Sequence, residues 1–266
     1  MSERAKSGRL AVVGSGLQLG RDISQRALST IRHADRVFAA VDEFTLAWLQ
    51  TERADVVSLA RHYGEGKDRR QTYREMEQDL VAAVEEGHTV CAVFYGHPGV
   101  FADVPHAAIA KLRQRGYLAS MEPGISAEAC LYADLGLDPG ASGVQSFEAT
   151  QFLVYRRQVD PGAALILWQV GLTGDLSCRE FSTSAERLRV LQDKLLRDYA
   201  PDTPVVLYEA AILPSLPPRI DHLPLSVLPQ AALKEFTTLV ILPTQSLQPD
   251  EWALNQLGMS PRDLTA

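Results

Sequence analysis

An α/β protein of two units is predicted by three observations. Up to about residue 135, short β-rich runs alternate with helical periods, the pattern of parallel strands joined by crossover helices. Two of those runs end in turns rich in glycine and proline, and open parallel sheets place ligands beyond such strand ends. After the turn cluster "GLDPGASG" (136–143) the texture changes to strands with few helices, so residues 1–135 and 136–266 are expected to form a mostly parallel unit and a mixed one.

The elements follow in order. "RLAVVG" is a strand, "DISQRALSTIRHAD" a helix, "RVFAAV" a strand, "DRRQTYREMEQDLVAAVEEG" a helix and "TVCAVF" a strand, followed by the helix "VPHAAIAKLRQRG" and the strand "YLASME". Beyond the hinge, "ALILWQVG", "PVVLYEAA", "RIDHLPL" and "TTLVILP" read as strands, and "SAERLRVLQDKLLRDYA" as the clear helix. The proline-rich piece "LPSLPPRIDHLPLSVLP" keeps apolar residues at short intervals, so ordered connections and an edge strand are expected there.

Composition narrows the function. The 266 residues are 46% hydrophobic and 22% charged, as in globular proteins. A net charge of −7 removes the general attraction to phosphate backbones, so nucleic acid is not expected as a partner. Apolar runs such as "ALILW" fall far short of the roughly 20 residues of a membrane helix, and the charged start lacks a signal-peptide pattern. Cys91, Cys130 and Cys178 have no C-x-x-C spacing and read as reduced thiols of a cytoplasmic protein without a metal site.

Two glycine turns carry the chemistry. "VVGSGLQLG" sets Gly14, Gly16 and Gly20 one residue wide of the dinucleotide fingerprint, with Asp42 and Glu43 after the second strand where a ribose-binding acid would stand. A nicotinamide enzyme and a plain strand-to-helix turn both fit. "FYGHPGVF" is more specific: Gly96 and Gly99 let backbone approach a ligand, Pro98 fixes its direction, and His97 offers a donor or acceptor. "EPGISAE" repeats the design with Ser126 at a helix N-cap, whose free amides suit a ligand carboxylate.

In combination, "VVGSGLQLG", "YGHPGVF", "EPGISAE" and "LWQVG" resemble the tetrapyrrole-methylase superfamily. Within it, "FYGHPGVFADVPHAAI", "GYLASMEPGISAEACLYADLGLDPG" and "YEAAILP" look like the borosin peptide α-N-methyltransferases, over residues 9 to 245. The resemblance implies a two-domain fold with S-adenosyl-L-methionine in the cleft between the domains, and S-adenosyl-L-homocysteine as product. It implies cofactor contacts at Tyr95, His97, Val100, Phe101, Ser126 and Ala127, and from the second unit at Gln169, Tyr208, Ala210, Thr237 and Thr238. Phe101 and Val100 equally suit plain core, and Gln169 a structural role.

On the long helix, Arg69, Tyr73, Met76, Leu80 and Val84 follow one stripe, whose apolar end must face the core. Spacing alone favours an ordinary helix start with a solvated Arg. The resemblance assigns Tyr63, Arg69 and Tyr73 to catalysis, with Arg70 as a competitor for the arginine role, and Tyr95 beside them. A peptide N–H is a weak acid whose lone pair is delocalised into the carbonyl, so methylation needs a base and a donor for the developing oxyanion. A phenol, with a reference pKa near ~10, is closer to that task than a carboxylate, and an arginine beside it assists. With no apolar core peptide after the last strand, the chain resembles the split type, which takes a separate precursor protein in trans. A homodimer binding two precursors is the matching expectation. The rivals are a methyltransferase of tetrapyrrole or corrinoid precursors, a non-catalytic peptide-binding homologue, and the nicotinamide oxidoreductase.

Overall fold

The computed structural model describes residues 7–18, 20–64, 66–176 and 179–264. Five strands, β1 (Arg9–Gly14), β2 (Arg36–Ala40), β3 (Val57–Ser58), β4 (Thr89–Phe94) and β5 (Leu118–Met121), form a parallel sheet in the order β3-β2-β4-β1-β5. The period of two along each strand sends alternate residues to opposite faces. Leu10, Val12, Val90 and Ala92 pack under α3 (Arg69–Glu85) and α4 (Asp103–Gln114). Val13, Cys91 and Val93 pack under α1 (Gln25–His33) and α2 (Glu43–Glu52) on the other face. The helix after β1 thus covers one face and the helix after β4 the other. Between these two neighbouring strands the carboxyl ends open into a crevice.

A second sheet holds β6 (Val144–Glu148), β7 (Ala164–Trp168), β8 (Pro204–Glu209), β9 (Arg219–Pro224) and β10 (Thr238–Ile241) in the order β6-β7-β10-β8-β9. Only β6 and β7 pair in parallel, so the sheet is mixed, as expected. Leu165, Leu167 and Leu239 face a core with Phe152 of α7 (Ala149–Val154) and Leu188 and Leu191 of α8 (Ala185–Leu195). On the opposite face, Ile166, Val206 and Val240 pack against Leu131 of α5 (Ala127–Leu135). Helix α5 follows the parallel sheet in sequence and packs on the mixed one. The turn 136–143 contains the short helix α6 (Pro139–Ser142), and α9 (Glu251–Leu257) follows the last strand.

Six elements differ from the sequence expectation. Strands β3 and β6 and helices α2, α6, α7 and α9 form where no element was expected. Strand β3 has two residues, α2 buries only Thr45 and Leu49, and β6 reads "VQSFE", so none carries a strong apolar period. The proline-rich piece holds the edge strand β9 and a 3₁₀ turn over Leu225–Gln230. Among the described residues no helix is long and apolar enough to cross a membrane, and no group of His, Cys, Asp and Glu is placed to hold a metal ion. Cys91 is buried and Cys130 half-buried, both free, while Cys178 lies outside the described residues.

Candidate active site

Three strand ends meet at backbone contact. A Cβ added to Gly14 would lie 2.3 Å from the Gly96 carbonyl oxygen and 3.0 Å from Gly124 Cα, so only glycine lets the turns after β1, β4 and β5 converge. Gly16 donates its N–H to Gly96 O at 3.2 Å and accepts from Gly96 N at 2.9 Å. Its φ of +71° belongs to the left-handed region that glycine enters freely. The amides that a dinucleotide phosphate would need are spent inside the protein, since Leu17 and Gln18 both donate to the Asp22 carboxylate. Asp42 caps α2, accepting from Thr45 N at 3.0 Å and Thr45 Oγ1 at 2.6 Å. The first glycine motif therefore builds a tight turn, and the nicotinamide reading loses both of its supports.

Above the junction lies a cavity of about 300 Å³. It brings together nine residues singled out in the sequence: Tyr63, Tyr73, Tyr95, His97, Val100, Phe101, Ser126, Ala127 and Gln169. Each element has a reason to deliver its residue there. Met76, Leu80 and Val84 anchor α3 in the core, which turns Tyr73 of the same stripe toward the crevice. Ser126 caps α5 through Ala129 N at 3.2 Å, leaving the first amides of that helix at the cavity wall. His97 Nδ1 accepts from Gly99 N at 2.9 Å, so in the neutral ring the proton resides on Nε2, which stays a donor.

Phe101 and Gln169 approach from opposite sheets, one in the turn after β4 and one at the end of β7. Both have positive φ, 50° and 56°, at a cost of about 1–3 kcal/mol each. The Phe101 ring sits 5.7 Å from that of Trp168, closing one side of the cavity. Strain of this kind is kept where the surrounding structure holds a site in shape.

A second cavity of about 230 Å³ adjoins the first and shares Tyr73, Phe101, Asp103 and Gln169 with it. Arg69 and Arg70 both line this second cavity. Arg69 Nε is buried and without a hydrogen-bond partner, and its guanidinium carbon lies 5.0 Å from the Phe181 ring centroid. Arg70, the sequence competitor, is exposed and bound to Asp68, with Nη2 to Oδ2 at 2.9 Å. The phenol of Tyr95 is pushed well above the ordinary tyrosine range, first by burial and then by the negative charges of Asp42 and Asp22 and the Cys130 thiol. It stays protonated at neutral pH and acts as a donor.

Four residues assigned by resemblance lie outside both cavities. Tyr208 is buried in β8 and donates its hydroxyl to Asp134 Oδ2 at 2.7 Å. Ala210 packs on the same core, and Thr238 is buried in β10. Thr237 donates Oγ1 to Glu209 Oε1 at 2.7 Å and accepts from Lys234 N at 2.8 Å. The buried Glu209 also receives Arg219 Nη1 at 2.7 Å and Lys234 Nζ at 2.8 Å. This network holds the turn 234–237, whose Phe236 reaches the first cavity. Phe236, Trp168 and Asp103 were missed in the sequence. Trp168 left a signal there as the neighbour of Gln169 in "LWQVG", and Asp103 as a member of "FYGHPGVFADVPHAAI".

Comparison with known proteins bears on family and fold. A methyltransferase/ribosomally synthesized cyclic peptide gymnopeptides precursor from Gymnopus fusipes is 42% identical over 230 residues, covering 85% of this chain and 54% of that protein. A methyltransferase/ribosomally synthesized type I borosin cyclic peptide precursor from Coprinopsis marcescibilis is 38% identical over 233 residues, covering 86% of this chain and 59% of its own length. The chain thus spans about half the length of the curated relatives it matches. The solved uroporphyrin-III-C-methyltransferase from Thermus thermophilus superposes with a TM-score of 0.65 at 19% identity, covering 92% of this chain and 99% of that one, a likeness of fold. The sequence profile described as Tetrapyrrole (Corrin/Porphyrin) Methylases matches residues 9–214, and with that match, over a parallel and a mixed sheet flanking one cavity, the chain belongs to the tetrapyrrole methylase family.

Proposed function

We propose that this protein is an S-adenosyl-L-methionine-dependent methyltransferase that methylates backbone amide nitrogens of a ribosomally made precursor peptide, supplied as a separate chain. The carrying observation is the convergence of Tyr63, Tyr73 and Tyr95 on one cavity floored by glycine turns, with Arg69 across Tyr73 in the next. The curated relatives are named as methyltransferases joined to cyclic-peptide precursors, which supports the peptide substrate.

The residues present fit the cofactor. A Cβ on Gly96 would stand 3.0 Å from Leu17 Cδ2, so bare backbone forms part of the wall. Leu17, Val100 and Phe101 offer apolar surface to an adenine. His97 Nε2 and the first amides of α5 offer donors to ribose hydroxyls and a carboxylate. When bound, the cofactor supplies an electrophilic methyl carbon on a sulfonium and leaves as S-adenosyl-L-homocysteine. The chain's own residues prepare the amide: Tyr73, acting as its phenolate, takes the N–H proton and becomes the neutral phenol, and Arg69 donates to the carbonyl oxygen as charge develops on it. Tyr95, kept protonated, orients the peptide together with Tyr63.

A tetrapyrrole or corrinoid precursor, with its several carboxylates, suits the site less well. Asp103, Glu148 and Asp175 outnumber Arg69 and Arg70 along the second cavity, and that excess of negative charge disfavours it. The proposed assembly is a homodimer binding two precursors, the commonest symmetry for a soluble oligomer. A cytoplasmic setting is proposed with it. The deciding experiment mixes the protein with the cofactor and a candidate precursor, then reads intact mass and fragmentation. Stepwise gains of one methylene on backbone nitrogens are expected; gains confined to side chains, or to a tetrapyrrole offered in parallel, overturn the reading.

A further inference from the structure

Arg69 is the first residue of α3, where the positive end of the helix dipole disfavours a cation. The carboxylate next to it in sequence, Asp68, does not offset it. Asp68 caps the helix through Arg70 N at 2.9 Å and binds Arg70 Nε at 3.1 Å, Arg70 Nη2 at 2.9 Å and Arg179 Nη2 at 3.3 Å. No ion pair among the described residues involves Arg69. What holds its guanidinium is the Phe181 ring, in a residue with a φ of 52°. The described residues contain three non-glycine residues with positive φ: Phe101 and Gln169 line the two cavities, and Phe181 stacks on a cavity-lining side chain.

One short segment therefore does two things. Arg179 helps to neutralise Asp68, and two residues later Phe181 presents a ring to Arg69. An aromatic face attracts a guanidinium and fixes its plane, but it accepts none of its N–H donors in the way a carboxylate would. The Asp68 pairing removes the competitor adjacent in sequence, and none of Asp103, Glu148 and Asp175, which line the same cavity, forms an ion pair with Arg69 among the described residues.

We propose that Phe181 is a positioning residue, which holds Arg69 by stacking so that its N–H groups remain uncommitted and directed to the substrate carbonyl oxygen. The proposal rests on the peptide-methylating reading for its consequence in turnover, though not for the contact itself. Loss of the ring releases the guanidinium, and a catalytic donor displaced by about 1 Å costs up to about a hundredfold in rate.

The test compares wild type, Phe181→Leu and Phe181→Trp by two readouts. In the first, substrate-free protein is treated with an arginine-selective dicarbonyl reagent and labelling at Arg69 is mapped by peptide mass. In the second, methylation of the precursor peptide is followed for kcat and KM. Phe181→Leu is expected to label severalfold faster at Arg69 and to lose between about tenfold and a hundredfold in kcat with KM nearly unchanged. Phe181→Trp, which restores a ring face, is expected to return both values toward wild type. Unchanged labelling in Phe181→Leu overturns the proposal, as does full turnover despite faster labelling, or a Trp variant as slow as the Leu variant. If wild type methylates no peptide, the functional reading fails, and the labelling arm alone decides whether the ring holds Arg69.

Discussion

Tyr73 and Arg69 are four residues apart on one helix face, close enough to act on a single amide from two adjoining cavities. Tyr73→Phe is expected to slow methylation about a hundredfold or more, with peptide affinity changed less than about threefold, by single-turnover kinetics and direct binding. Much of this was legible in the sequence, because Met76, Leu80 and Val84 fix which face of α3 looks inward. The choice between Arg69 and Arg70 was not. Neighbours on a helix point about 100° apart, and here Asp68 binds Arg70 and leaves Arg69 without an ion pair among the described residues. Nor could the sequence announce Phe101, Gln169 and Phe181 as strained, since positive φ in a non-glycine residue is imposed by its surroundings.

Among the elements, the glycine turns and the β8–β10 network do the positioning. Gly14→Ala drives a methyl group into two neighbouring backbones, and a loss of about 3 kcal/mol or more in stability is expected from chemical denaturation, with loss of cofactor binding. Gly171→Ala should behave alike, its Cβ falling 2.0 Å from the Lys234 carbonyl oxygen. Burial alone would raise the Glu209 carboxyl, but Lys234, Thr237 and Arg219 outweigh it and hold it below its ordinary value of 4.5. A carboxyl so lowered contributes stability that is fully present above its unfolded value and is lost as pH falls through the folded one. Glu209→Gln is therefore expected to cost about 1–3 kcal/mol near neutrality, the sum reduced because Lys234 remains largely in water, and to flatten the melting-temperature loss below about pH 4.5. The hydroxyl of Thr237, expected by resemblance at a cofactor contact, bonds Glu209 and secures the turn that carries Phe236 to the cavity.

For the molecule as a whole, α5 joins the two sheets: its N-terminus lines the cavity while Leu131 is buried under the mixed sheet. Leu131→Ala should cost about 2–5 kcal/mol and weaken cofactor binding together with it, measured by thermal unfolding and calorimetry. The occupied amides of the first glycine turn predict heat on titration with S-adenosyl-L-methionine and none with NAD, and the reverse result would revive the dehydrogenase.

The chain's own order of residues determined the alternation of strands and helices, the glycine turns at strand ends and the inward stripe of α3, because each is a local pattern of period or backbone freedom. Tertiary structure alone decided that the first glycine motif serves packing, that Tyr208 and Thr237 stand behind the cavity wall, and that a ring from beyond residue 180 meets Arg69. Those outcomes depend on which groups reach a shared donor, acceptor or void first, and that competition takes place between residues from a few to more than a hundred positions apart in the sequence.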